Sequence, residues 1–361
     1  MARMSSLKTA KPRGIKEIAD ALGVSIGTVD RALHDRKGVS PKTRENVLKM
    51  VKSLNYTPNI AARNLKLNRH LKVGVYLPRQ VAAYYDALRE GIRRASAAEI
   101  SVHVDIHFFD YPSLGEGDLE AMRKSDWLQF DGVILAPGHP SQLQQISAAA
   151  VKHGKPIVCV TTDAARMHRL ASIRADSFVS GAIAAELLGG WIHERGDIVI
   201  FTGDLEVQDH ADKLKGFAGT LAMNAPHLRL TPTVESHDSF DLAYASAKKV
   251  LEEYPKLSGV YINTANSLPV LKALSESGRL REIRTITTDL YPELIPYLER
   301  GEVNASLYQR PHTQGKLAFE VLSAFLARGI EPRSDTRLAP HIILRSNLSL
   351  FANAIDSNLR P

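Results

Sequence analysis

Residues 14–66 read GIKEIADALGVSIGTVDRALHDRKGVSPKTRENVLKMVKSLNYTPNIAARNLK and begin with a regular apolar spacing. Ile15, Ile18 and Leu22 recur every three to four residues, which predicts one face of a short helix. Gly23 follows directly, and glycine accepts the positive φ that ends many helices. The pattern therefore predicts a first helix that stops in a tight turn.

Two more helices are expected before Pro58. Ser25 can cap the second helix, and Ser40–Pro41 begins the third, which we expect to run to about Leu54. Its inward side chains are expected to be Val47, Leu48, Val51 and Leu54. Two short helices joined by a glycine turn form a helix-turn-helix, whose second helix enters the major groove of DNA. The sequence thus predicts a small all-α headpiece.

The distribution of charge separates this head from the remainder of the chain. Residues 1–70 contain 15 Lys and Arg and 5 Asp and Glu, a net charge of +10, whereas the other 291 residues carry −3. A basic small domain on a slightly acidic body is the asymmetry expected when one part of a protein binds a polyanion. A solvated basic tail is the alternative explanation for the charge alone.

Three blocks in this stretch make a more specific match. GVS-x-x-TV-x-RAL, VSPKTRENV and NYTPN-x-x-ARNL occur in order and at the right distances between residues 14 and 66. The stretch resembles the headpiece of the lactose-repressor family of transcription regulators. The resemblance implies a homodimer that binds a near-palindromic double-stranded DNA operator.

The resemblance also assigns roles to individual residues. It places Ile26, Gly27 and Arg31 at base edges, where an arginine can bind guanine bidentately. It implies phosphate contacts for Ser25 and Thr28, and a further DNA contact for His34. After Pro58 it implies a hinge helix that contacts the minor groove, with Leu65 as an apolar wedge and Ala62, Arg63 and Lys66 beside it. An ordinary linker is the alternative. Gly27 and Asp30 depart from the family pattern, so the operator sequence is not predicted.

From Leu71 onward, short apolar strands alternate with helices. This alternation predicts an α/β body with parallel sheets covered on both faces. The body resembles the two-lobed periplasmic sugar-binding fold over residues 71–345. Helices are expected at Ala82–Ala97, Pro140–His153, Ser177–Arg195, Gln208–Asn224, Phe240–Tyr254 and Ser267–Gly278. The predicted divisions are a basic extension (1–13), the headpiece (14–58), the hinge (59–70), the effector-binding and dimerisation domain (71–345) and a tail (346–361).

In open parallel sheets, ligands bind beyond the carboxyl ends of the strands. Amides and carboxylates there suit the hydroxyl groups of a sugar, and aromatic rings stack on its C–H face. Ala211 occupies the position where the resemblance implies an arginine that binds the ligand. The candidate ligand-binding residues are Arg79, Tyr84, Tyr85, Thr162, Asp163, His210, Lys213, Asn263, Asn266, Asp289 and Gln309.

Several classes of protein are excluded or disfavoured. No nucleophile elbow, phosphate-binding glycine loop, dinucleotide fingerprint or zinc-protease motif occurs, so we expect neither an enzyme nor a cofactor. His103, Asp105 and His107 share one face of a predicted strand, and a solvated edge strand explains them without a metal. A single cysteine, the lack of a long apolar run and the lack of a secretory signal predict a cytoplasmic protein.

These observations predict a sequence-specific regulator, a repressor of carbohydrate-utilisation genes, whose operator binding responds to a small sugar held between the lobes. One alternative is a regulator that needs a purine or other corepressor, since adjacent tyrosines suit a flat ring. The other is a sugar-binding module whose head has lost specific DNA binding.

Overall fold

The computed structural model of the chain describes residues 15–33, 37–53, 70–139, 141–164 and 166–352. It divides into two units, Met1–Leu67 and Asn68–Pro361. No described helix is long and apolar enough to cross a bilayer.

The first unit contains helices α1 (Ile15–Leu22), α2 (Ile26–Leu33) and α3 (Pro41–Ser53). Gly23 ends α1 with φ of 62°, and the N–H of Val24 donates to the carbonyl of Ala19 at 3.0 Å. This is the left-handed ending that the sequence predicts. The Ser25 hydroxyl caps α2, because it accepts from the N–H of Thr28 at 3.1 Å. The Ser40 hydroxyl caps α3 in the same way.

A small apolar core joins the three helices. Its buried members are Ile18, Ala19, Val29, Ala32 and Val47. The expectation that Leu48 faces inward is wrong, since its exposed fraction is 46%. Residues three and four apart share a helical face, so Met50 and Val51 pack beside Val47 while Leu48 is turned away. Leu54 lies outside the described residues.

The second unit consists of two lobes, and the first contains a six-stranded sheet. All strand pairs in this sheet are parallel, in the order β12-β5-β4-β3-β1-β2. Strands such as GVIL and IVCV are fully buried because helices cover both faces. The elements are β1 (His70–Pro78), α4 (Ala82–Ala98), β2 (His103–Tyr111), α5 (Asp118–Lys124), the 3₁₀ turn Trp127–Gln129, β3 (Gly132–Leu135), α6 (Gln144–His153), β4 (Ile157–Val160), β5 (Ala171–Ala175), α12 (Pro311–Arg328) and β12 (Asp335–Leu338).

The second lobe contains a seven-stranded sheet in the order β13-β11-β10-β9-β6-β7, with β8 also paired to β6. The described pairs are parallel except that β13 runs antiparallel to β11, a detail that the expected parallel sheets did not include. The elements are α7 (Ser177–Trp191), β6 (Gly196–Thr202), α8 (Gln208–Asn224), β7 (Leu228–Leu230), β8 (Val234–Glu235), α9 (Phe240–Glu253), β9 (Leu257–Ile262), α10 (Leu268–Glu276), β10 (Arg284–Thr288), the 3₁₀ turn Pro292–Leu294, α11 (Ile295–Glu299), β11 (Ala305–Tyr308) and β13 (His341–Ile343).

The predicted two-lobed α/β body is therefore confirmed, with shorter helices in two places. The helix expected from Pro140 begins at Gln144, and the one expected to reach Arg195 ends at Trp191. The chain passes between the lobes three times, after β5, after β11 and after β12. Each lobe is thus assembled from separate parts of the sequence.

In each lobe, one pair of helices crosses closely at glycines. A Cβ added to Gly91 of α4 would collide with the carbonyl of His312, and one added to Gly315 of α12 would collide with that of Leu88. A Cβ added to Gly181 of α7 would likewise collide with the carbonyl of Lys213 in α8, and one added to Gly216 of α8 would collide with that of Phe178 in α7. These contacts fix the distance between the helices that flank the space between the lobes.

Candidate functional site

A cavity that opens to solvent lies between the lobes at the carboxyl ends of the strands. Six predicted ligand-binding residues line it, namely Tyr84, Tyr85, His210, Lys213, Asp289 and Gln309. The other lining residues are Gln80, Val81, Leu114, Thr161, Asp209, Asp238, Thr264 and Ala265. We call this cavity the crevice.

The loops around the crevice hold residues in the left-handed backbone region. Val81, Thr161, Asp238 and Asp289 have φ values of 56°, 72°, 52° and 66°. This region is costly for residues with a side chain and most costly for β-branched ones such as valine and threonine. Backbone strain of this kind gathers where a site must be held in one geometry. The strained positions therefore mark the crevice independently of its polar groups.

A buried ion pair forms the wall on the side of the second lobe. The ammonium of Lys213 lies 2.6 Å from a carboxylate oxygen of Asp209, and their side chains are 1% and 4% exposed. Lys213 also donates to the carbonyl of Asn263 at 3.1 Å, and the Ser177 hydroxyl donates to Asp209. Burial alone would raise the pKa of Asp209, but Lys213, His210 and these hydrogen bonds outweigh it and hold that pKa below its usual value.

A second carboxylate, that of Asp289, follows β10 directly. It accepts from the backbone N–H of Gln309 at 2.9 Å and from the Gln309 side-chain amide at 2.6 Å. Burial raises the pKa of Asp289 to about 6, although the bonds from Gln309 and the charge of Lys213 act in the opposite direction. Gln314 connects the two lobes here, because it accepts from the N–H of Thr161 and donates to the carbonyl of Gln309.

The two tyrosines, which lie on α4 of the first lobe, pack edge to face against each other. The ring centroids of Tyr84 and Tyr85 are 4.9 Å apart with an interplanar angle of 82°. Tyr84 donates to the Thr161 hydroxyl at 3.3 Å. Burial raises the pKa of both phenols well above the usual value, so both remain neutral donors. Their rings provide the apolar part of the crevice.

Five predicted ligand-binding residues do not line the crevice. Arg79 is exposed, and Thr162 is buried, where its hydroxyl accepts from the N–H of Asp209 at 3.2 Å. Asp163 forms an ion pair with Arg169, so its carboxylate is already occupied. Asn263 and Asn266 lie beside the crevice with buried amide atoms that have no hydrogen-bond partner.

Two crevice residues, Gln80 and Asp238, were not predicted from the sequence, and neither was Gln314, which does not line the crevice. Gln80 lies one residue beyond the candidate Arg79, and its amide donates to the carbonyl of Asp238 in the other lobe. Asp238 follows β8, a strand of two residues that is too short for a pattern to reveal. Gln314 lies one turn inside α12, where periodicity treats it as an ordinary helical residue.

In the first unit, α2 presents one exposed face. Ser25, Ile26, Gly27 and Arg31 are exposed there, opposite the buried Val29, and Ile26 is an apolar side chain with 48% exposure. A Cβ on Gly27 would lie 4.0 Å from the guanidinium of Arg31, which therefore extends over the glycine. Thr28 bonds to Ser25 at 2.9 Å between hydroxyl oxygens. The predicted contacts His34, Ala62, Arg63, Leu65 and Lys66 lie outside the described residues.

Outside these sites, three residues on the edge of the first sheet place metal-ligating atoms within 4.8 Å of one another. His70 pairs in register with His103 on β2, and His103 lies 3.0 Å from an Asp105 oxygen. The sequence pattern groups His103 and Asp105 with His107 and gives no sign of His70. The expected edge strand is confirmed, since β2 lies at the end of the strand order.

Comparison with known families matches both units. Residues 14–59 match the family described as bacterial regulatory proteins of the lacI family, and residues 73–330 match the periplasmic binding protein domain. Catabolite control protein A of Priestia megaterium is 25% identical over 268 residues, which are 73% of this chain and 78% of that protein. The ribose operon repressor of Bacillus subtilis is 24% identical over 341 residues, 90% of this chain and 94% of its own length.

Solved structures are similar to the body. A glucose-galactose binding protein from Geobacillus stearothermophilus superposes with a TM-score of 0.71 at 20% identity, over 78% of this chain and 99% of that one. A solute-binding protein from Agrobacterium vitis, bound to α-D-tagatopyranose, gives a TM-score of 0.73 at 19% identity, over 81% and 99%. At these identities the likeness shows the fold. The relatives and structures named here are transcription regulators and sugar-binding proteins.

Proposed function

Because this chain belongs to the lacI family of bacterial regulatory proteins and carries a periplasmic binding protein domain, we propose that it is a repressor of carbohydrate-utilisation genes whose operator binding is controlled by a small sugar. The ribose operon repressor matches nearly the whole chain and supports this choice of target. The observation that carries the proposal is the crevice, because it joins two aromatic rings with a buried carboxylate–amide pair.

The exposed face of α2 is our proposed DNA-reading surface. An arginine can donate two hydrogen bonds to guanine in the major groove, and an isoleucine can contact a thymine methyl group. Arg31 and Ile26 have both the chemistry and the exposure for these contacts. Ser25 and Thr28 at the start of α2 suit phosphate oxygens, which position the helix without reading sequence.

We further propose that two copies bind the operator together. One three-helix headpiece covers too little DNA for tight and selective binding, whereas a two-fold dimer reads two half-sites. The hinge residues Ala62, Arg63, Leu65 and Lys66 would then contact the minor groove between them.

Control by the effector is a linkage between two sites. A sugar that binds better to one relative position of the lobes shifts the population toward it. Gln80, Gln314 and Thr162 bond across the crevice, so a change there reaches both lobes at once. A coupling free energy of about 1–3 kcal/mol would change operator affinity roughly 5–150-fold.

The test is fluorescence anisotropy of labelled DNA from the region upstream of the gene, against a scrambled fragment, at physiological salt. Selective binding that a pool of sugars releases is the expected result. Selective binding that the pool tightens would instead indicate a corepressor. Equal binding to both fragments would contradict sequence-specific regulation from this region.

A further inference from the structure

The charge of the crevice is unbalanced toward the negative. Among the lining residues in the described part of the chain, the carboxylates are Asp209, Asp238 and Asp289, and the basic side chains are Lys213 and His210. An anionic ligand group is taken out of water at low cost only when a positive group pairs with it. The availability of Lys213 therefore decides whether the crevice suits an anion.

Lys213 is already paired. Its ammonium is 1% exposed, lies 2.6 Å from Asp209 and donates to the carbonyl of Asn263. Two of the three N–H donors of Lys213 are used, and Asp209 already balances its charge, so Lys213 offers a ligand phosphate at most one hydrogen bond and no net positive charge.

The remaining titratable cation, His210, has a carboxylate beside it. A Cβ on Gly203 would lie 3.0 Å from His210 Nδ1 and 3.1 Å from an oxygen of Asp238, so both side chains face the same backbone atom. His210 Nδ1 also lies 3.1 Å from the backbone N of Asp204. The carboxylate of Asp238 lies on the same side of Gly203 as His210 and would repel an anion that approached His210.

Unpartnered polar atoms around the crevice indicate what the ligand must supply. Among the lining residues, buried side-chain oxygens of Asp238 and Gln309 have no hydrogen-bond partner. Oxygens accept, so both atoms require a donor. A hydroxyl group can donate to either of them. An ionised phosphate or carboxylate accepts only and would leave the oxygens unsatisfied.

We propose that the effector is an uncharged polyhydroxyl compound, a free sugar or cyclitol, and that the crevice rejects phosphorylated and carboxylate-bearing sugars. The inference rests on the proposed function and narrows its ligand class. Asp289, Asp238 and the side-chain oxygen of Gln309 accept from ligand hydroxyls, and the tyrosine rings cover the apolar C–H face.

The experiment uses matched ligands on the full chain, by isothermal titration calorimetry at pH 7.5. The panel pairs D-glucose, D-galactose, D-ribose and myo-inositol with their monophosphates, and the two hexoses also with their uronic acids. At least one uncharged member should bind, with its charged partners at least about 100-fold weaker, since an unpaired buried charge costs several kcal/mol. A charged member that binds as tightly as its uncharged partner would overturn the inference. So would a panel in which no uncharged member binds.

Two variants connect the selectivity to the crevice. Asp238→Asn removes one negative charge and should reduce the ratio of sugar affinity to phosphate affinity at least about tenfold, as expected for a charge within about 12 Å at an effective dielectric constant of about 20. Asp241→Asn, at an exposed carboxylate three residues further on, should change neither affinity. Equal effects of the two variants would contradict a local electrostatic origin. Selective DNA binding is measured without effector, so failure here leaves the proposed function separately testable.

Discussion

The backbone N–H of Asp209 donates to the Thr162 hydroxyl at 3.2 Å, across the boundary between the lobes. The same residue holds Lys213 through its side chain. One residue therefore fixes the charge of the crevice wall and also contacts the opposite lobe. Its replacement should disturb both the second lobe and the response to ligand.

Removing the Asp209 carboxylate should be costly. Asp209→Ala leaves Lys213 buried without its partner, and we expect the free energy of unfolding in urea to fall by about 3–5 kcal/mol. The double variant Asp209→Leu with Lys213→Met removes both charges and should recover much of this loss. Asp212→Ala is the control on the same helix, because its partner Lys215 is exposed and the loss should be at most about 1 kcal/mol. If Asp209→Ala were as stable as Asp212→Ala, the prediction that the buried ion pair cannot lose one partner cheaply would be wrong.

Effector affinity should depend on pH through Asp289. The pKa of this carboxyl is raised to about 6, so it is ionised at pH 7.5 and largely protonated at pH 5. Protonation removes acceptor capacity, and we expect affinity to fall as the pH drops through about 6, by at most about tenfold per unit. Asp289→Asn should bind more weakly but with little pH dependence, whereas His210→Gln should keep the dependence. Calorimetry from pH 5 to 8 measures this, and an unchanged slope in Asp289→Asn would exclude Asp289 as its source.

The helix crossings make a prediction about stability. Gly216→Ala places a methyl group against the backbone of Phe178, and we expect a loss of about 1–3 kcal/mol or more. Gly219→Ala lies on the same helix with open space around it, and it should be neutral or stabilising by up to about 1 kcal/mol. The melting temperatures of the two variants, measured in parallel by thermal unfolding, test this expectation. Similar melting temperatures would mean that the helices separate without cost.

Arg31 should contribute to the choice of sequence. Arg31→Ala is expected to cost about 1–3 kcal/mol on the operator and to relax selectivity against scrambled DNA. Lys49→Ala, at an exposed residue of α3 paired with Glu45, is a charge-matched comparison. Lys49→Ala should leave the ratio of operator affinity to scrambled-DNA affinity unchanged in the same anisotropy assay. If Arg31→Ala weakened both DNA fragments equally, Arg31 would be a phosphate contact rather than a base contact.

A variant at Leu65 should separate DNA binding from effector binding. Leu65→Ala should weaken operator binding, because an apolar wedge contributes to the bent DNA complex. Effector binding by the body should stay intact, and calorimetry on the same preparation measures it. If operator binding and effector binding were lost equally, the prediction that Leu65 is a hinge wedge would be wrong.

The sequence predicted the architecture well because periodicity and capping are local. Gly23, Ser25 and Ser40 each act within four residues, and the structure reproduces them. Crevice residues were harder to predict, because Asp163 and Asp289 both follow buried strands and look equivalent in the sequence. Arg169, six residues from Asp163, occupies that carboxylate, whereas Asp289 is turned into the crevice by a left-handed backbone. Such differences depend on tertiary partners that no spacing reveals.

The three passages of the chain between the lobes have a consequence for synthesis on the ribosome. The first sheet needs β12, in which Asp335 pairs with Ser172, and its core needs Phe319 and Leu322 from α12. The lobe that begins first is therefore completed only after nearly the whole second lobe has emerged. Contacts so distant in sequence slow folding and leave apolar surface exposed in the meantime. A nascent chain that stalls before α12 would thus present an unfinished first lobe to chaperones and proteases.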